Sequence, residues 1–100
     1  MTRRAARRDA NHTAVADTFR ALGCSVFETD RVGEGFPDLV VGMQGDNLLV
    51  EVKNPATYYG RTGLNGSQTK FNEAWRGSKV MVICSADEAA AFVLNRRAPK

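Results

Sequence analysis

The feature that most limits what this chain can fold into is charge set inside two runs that otherwise read as buried strands. Leu39-Val40-Val41-Gly42 and Leu48-Leu49-Val50 with Val52 are aliphatic, yet Asp38 heads the first run and Glu51 and Lys53 interrupt the second. Lys and Glu are rarely buried without a partner, and Asp hardly more often. A fold that buries these runs must bring something to satisfy three charges, and a divalent cation is the most economical candidate.

Strand geometry sharpens the point. Side chains alternate faces along a strand, so Glu51 and Lys53 point the same way, roughly 6.6–7 Å apart, and Val50 and Val52 point the other way. A turn at Gly45-Asp46-Asn47 lets the two strands pair antiparallel, which can bring Asp38 beside Glu51. Two carboxylates at close range repel and raise one pKa unless a cation sits between them. Oxygen ligands suit Mg²⁺, with Mn²⁺ as a substitute. Lys53 beside such an ion could hold or deprotonate a water, or neutralise charge on a phosphorus centre. The plainer alternative is a turn Asp after Pro37 and a Glu/Lys pair guarding an exposed strand edge. The aliphatic flanks argue against it.

Pro37-Asp38, a spacer of twelve residues and then Glu51-Val52-Lys53 resemble the signature of the PD-(D/E)xK nuclease superfamily. Within it, the chain looks most like small stand-alone VRR-NUC domains of phages and bacteria, and more distantly like archaeal-type Holliday-junction resolvases. The resemblance runs from about Asp9 to Leu94. It implies a restriction-endonuclease-like core in which Asp38, Glu51 and the backbone carbonyl of Val52 hold Mg²⁺. It also implies that Lys53 orients the attacking water, and that the product carries a 5′-phosphate. A homodimer that cuts branched DNA is implied as well.

The rest of the chain is read as an α/β domain of order α-β-β-β-α-β-α, with a mixed sheet of about four strands flanked by helices. Helix one spans about His12 to Leu22, with Val15, Phe19 and Leu22 as its apolar stripe, Asn11 as N-cap and Gly23 as its stop. Strands follow at Ser25–Thr29, Asp38–Met43 and Leu48–Lys53. Pro55 to Gly66 reads as a long loop. Helix two runs from Ser67, its N-cap, to Arg76, with Phe71, Ala74 and Trp75 on one face. A strand at Val80–Cys84 leads to a capping-box pattern at Ser85 and a helix that ends near Leu94.

At 100 residues and 43% hydrophobic content the chain is long enough for one core, residues 1–100 forming a single domain, which the resemblance implies is VRR-NUC-like. No apolar stretch reaches membrane-spanning length, and the Arg-rich start lacks an apolar signal region. Cys24 and Cys84 read as small buried hydrophobes of a reduced, cytoplasmic protein, and the resemblance implies a bacterium or a phage-infected host. The net charge of +3 is uneven. Arg3, Arg4, Arg7 and Arg8 form a basic arm over residues 1–8, and Arg96, Arg97 and Lys100 a short basic tail over 95–100. The arm is assigned to DNA contact, against the alternative of a solubilising tail.

Members of the resembling superfamily often add an acid from the first helix. Here that stretch reads Arg8-Asp9-Ala10-Asn11-His12, with no Glu. Asn11, His12 or Asp9 are the substitutes on offer, against a simple capping role for Asn11, and one Mg²⁺ per site is the expectation. Gln68 is assigned to the active site, because the resembling families place a Gln there and helix N-termini attract phosphate. Tyr58, Tyr59 and Arg61 mix aromatic and basic character suited to stacking on an unpaired base or to a dimer contact. Lys70 is a generic DNA contact or a solvated charge. Glu34 reads as an exposed residue between glycines, and Trp75 as core or dimer interface.

The resulting expectation is a Mg²⁺-dependent, structure-selective DNA endonuclease acting on Holliday junctions or flaps. The alternatives are a non-catalytic DNA-binding module on the same fold and a nuclease for other DNA or RNA substrates.

Overall fold

A stripe of Val15, Ala16 and Phe19 winds His12–Ala21 into helix α1 and buries that face completely. Leu22 closes the helix, and Gly23, at φ +90°, turns the chain out of it. This computed structural model describes residues 10–56 and 63–99. Arg3, Arg4, Arg7, Arg8 and Asp9, and Tyr58, Tyr59 and Arg61 of the long loop, lie outside the described residues, as does Lys100.

Three antiparallel-linked strands follow: β1 (Ser25–Glu28), β2 (Leu39–Met43) and β3 (Asp46–Val52). Helix α2 (Gly66–Ala74) lies in the crossover to β4 (Met81–Ile83), which pairs parallel with β3. Helix α3 (Ala86–Arg97) completes the chain. The sheet order is β1-β2-β3-β4, so the protein is α/β with a four-stranded mixed sheet and three helices in the order expected from its sequence.

Alternation assigns the faces. Val26, Leu39, Val41, Met43, Leu48, Val50, Val52 and Ile83 pack with Val15, Ala16 and Phe19 of α1 and Ala89 and Val93 of α3 into one core. The opposite parity puts Phe27, Val40, Leu49, Glu51 and Val82 on the second face, where Phe27 stays 72% exposed.

Several boundaries differ from the sequence reading. The β2–β3 turn is Gln44-Gly45, both at positive φ (50° and 84°), as a two-residue hairpin of the twisted type requires. Asp46 and Asn47 therefore pair with Met43 and Gly42 instead of forming the turn. Strand β2 starts at Leu39, one residue past Asp38, and β3 ends at Val52, although the Lys53 amide still donates to the Ile83 carbonyl at 3.1 Å. The N-cap of α2 is Asn65, not Ser67: its side chain accepts from the Gln68 amide, and the Gln68 side chain accepts from the Asn65 amide. Trp75 ends that helix, one residue before Arg76. Ser85 caps α3 as expected, but the helix runs on to Arg97, past Leu94. Asn11 stands at the N-cap position of α1, yet its side chain makes no capping bond. Cys24 is buried as expected, Cys84 is only half-buried, and neither is in a disulfide.

Candidate active site

The site forms where β3 outruns β2. The β2 strand begins at Leu39, opposite Val50, so Glu51 and Val52 have no residue of that strand across from them. The Asp38 side chain fills the gap: its Oδ2 accepts the Val52 amide at 2.9 Å. A strand residue's N–H and C=O point to the same edge, so the Val52 carbonyl faces the same side.

Glu51 and Lys53 are buried, 3% and 7% exposed, with Lys53 Nζ 3.7 Å from Glu51 Oε2. The same carboxylate oxygen accepts from Gln68 Nε2 at 2.7 Å. Gln68 thus works at both ends of its amide, its Oε1 in the capping box and its Nε2 on Glu51. Sequence reasoning placed Gln68 at the candidate site and gave the cap to Ser67; Gln68 takes part in the cap as well.

Burial holds the Asp38 carboxyl above its ordinary range. The Val52 amide pulls the other way, as do a hydrogen bond with the Glu51 carboxyl and the charge of His12, while Asp30 adds to the rise. Asp38 and Glu51 therefore meet as a carboxyl pair, the arrangement in which a proton or a cation must sit between the two.

Asn11 reaches the same place from α1. Its Nδ2 donates to the Lys53 carbonyl at 3.0 Å and to the Cys84 carbonyl, which ties the helix start to the ends of β3 and β4. Its Oδ1 is buried and accepts no hydrogen bond among the described residues. His12 is 1% exposed, and its Nε2 lies 3.1 Å from Glu28 Oε1.

Sequence reasoning missed Glu28 and Asp30, which with His12 bring ligand-type atoms within 4.8 Å of one another. The only signal was parity: Glu28 shares the face of Val26 and so points at α1. Glu28 pairs with His12 and with Arg20 Nη2, the latter at 3.0 Å, so this group first of all ties α1 to β1.

Lys70 is exposed on α2, two residues beyond Gln68 and so on another side of the helix. Glu34 is exposed, with φ 58° between Gly33 and Gly35, themselves at 84° and 80°. Among the described residues no helix is long and apolar enough to cross a membrane. No family model, no curated protein and no solved structure matches this chain.

Proposed function

We propose that this protein is a metal-dependent endonuclease that hydrolyses phosphodiester bonds in DNA, acting as a homodimer on branched substrates. One observation supports the reading most: Asp38, Glu51, Lys53 and Gln68 converge at one end of β3, although 30 residues separate the first from the last. The strand residues beside them are aliphatic; Asp38 also bonds the Val52 amide, but the sheet has no structural need for a second carboxyl and a lysine there.

The donor set fits Mg²⁺ or Mn²⁺. The Asp38 and Glu51 carboxylates and the Val52 carbonyl are hard oxygen ligands, and the buried Asn11 Oδ1 is an unused acceptor in a residue bonded to the site. When bound, such an ion supplies a Lewis acid for the phosphate and an acidified water. The chain does the rest. The Val52 amide fixes the Asp38 carboxylate, and Gln68 fixes Glu51. The Lys53 ammonium is a buried positive charge for the phosphate under attack. Preorganised charge in a poorly hydrated site is worth more than the same charge in water.

The test is cleavage of a labelled four-way junction, flap, linear duplex and single strand in Mg²⁺, Mn²⁺ or EDTA. Wild type should cut only with metal. Lys53→Ala should lose at least about a hundredfold in rate while its melting curve stays cooperative. Symmetric cuts in the junction would support the dimer. Metal-independent cutting, or a fully active Lys53→Ala, would refute the assignment.

A further inference from the structure

Helix α2 buries none of its residues, yet it carries Gln68. What holds it is a set of three rings. Phe71 stacks on Trp75 at 4.9 Å between centroids and 24° between planes, and Phe36 meets both edge-on, at 5.3 and 6.5 Å. This fixes the Trp75 indole in orientation, but the residue stays 39% exposed. A large aromatic side chain held rigidly and left half open has given up its conformational freedom without finishing its burial.

The surroundings are basic and continuous with the candidate site. Lys79 Nζ donates to the Trp75 carbonyl at 3.0 Å and to the Asn72 carbonyl at 2.8 Å, so an ammonium is pinned at the backbone end of the helix that carries the ring. Arg76 adjoins it and is exposed. Gln68 and Trp75 are seven residues apart, about 10 Å and two turns along one helix face. That is the reach of a nucleotide or two from the Glu51 carboxylate.

Resting on the nuclease reading above, we infer that Trp75, braced by Phe71 and Phe36 and flanked by Lys79, is a stacking platform for an unpaired DNA base next to the cutting site. An aromatic face beside a cation is the chemistry that holds single-stranded nucleic acid without reading its sequence. A base inside a duplex has no free face to offer. The platform would thus select substrates with a branch, flap or single-stranded end, and it names the residue that does the selecting.

Trp75 is the chain's one tryptophan, so its emission reports on this ring alone. The full chain in EDTA is titrated with oligothymidylate and, separately, with a blunt duplex. Oligothymidylate should quench the emission and the duplex should not. Trp75→Leu should weaken single-strand binding about tenfold or more and leave duplex binding unchanged, and Trp75→Phe should recover most of the loss. Binding without quenching, or Trp75→Leu binding as tightly as wild type, overturns the platform. So does an emission change on dilution of the protein alone, which would put the ring at a contact between copies. If Trp75→Leu fails to fold, the wild-type quench decides. Quenching without metal-dependent cutting would remove the nuclease and leave the platform; cutting without quenching would do the reverse.

Discussion

Gln68 Nε2 donates to Glu51 Oε2 across 2.7 Å while the other end of the same amide closes the α2 capping box. One side chain therefore couples the start of a helix to the orientation of a buried acid. Gln68→Ala should lower the cleavage rate through a loose Glu51, and should cost about 1 kcal/mol of stability through the lost cap bond. Gln68→Glu is the sharper variant. It can keep the cap bond but sets a carboxylate against Glu51, so its activity should fall further than its melting temperature does. Equal activity in Gln68→Glu and wild type would argue against any role for the amide at Glu51.

Asp38 gives a pH signature. Its carboxyl is raised by burial, so the folded state holds that proton to higher pH than the unfolded chain does. The contribution of this group to stability is complete below about pH 4, the unfolded value, and is lost as pH rises through the folded one. Asp38→Asn still offers an acceptor to the Val52 amide and has no charge to bury. Its melting temperature should exceed that of wild type by several degrees at neutral pH in EDTA, at roughly 4–8 °C per kcal/mol for a domain of this size. The gap should shrink toward pH 4, and Mg²⁺ should narrow it by stabilising wild type alone. A gap that widens in acid would contradict the cause given for the shift.

Asn11 joins α1 to the chain just after β3 and β4 through two carbonyls. Asn11→Ala should destabilise by about 1–3 kcal/mol, seen as a lower urea midpoint at unchanged slope. Asn11→Asp should be worse at neutral pH, because a carboxylate would face the Lys53 and Cys84 carbonyls with no proton to donate. The two variants should converge in acid. This is the physical reason a carboxylate does not suit position 11 here.

Gly33 and Gly35 form a matched pair. Both have φ near +80°, but a Cβ at Gly33 would meet nothing within 4 Å, whereas one at Gly35 would lie 2.2 Å from the Ser67 carbonyl oxygen. Gly33→Ala should cost only the left-handed backbone, about 1 kcal/mol. Gly35→Ala should cost clearly more and push the N-terminus of α2 outward, taking Gln68 off Glu51. Thermal melts and cleavage rates of the two variants check this, and similar values for both would show that the loop yields more easily than the contact implies.

The strand pattern made most of this legible. The parity of Glu51 and Lys53 and the lead position of Asp38 are written into the aliphatic runs, and the element order follows from periodicity. Local chemistry was harder to read where two residues could do one job. Asn65 and Ser67 can both cap a helix, but only Asn65 has Gln68 three residues on to complete the box. Gln44 does not read as a turn residue, because a non-glycine residue seldom takes a positive φ, yet it holds φ 50° here. The meeting of His12, Glu28 and Asp30 depends on how α1 packs against β1, which no spacing in the chain encodes.

Because Asp38 Oδ2 stands in for the missing strand partner of Val52, it is a sheet residue as much as an acid. Its loss would fray the end of β3 whether or not any chemistry takes place there, whereas among the described residues the Lys53 side chain holds no backbone group. Descendants of this domain released from selection for catalysis are therefore expected to shed the lysine first and retain an acceptor at 38, leaving a fossil of the site in the sheet itself.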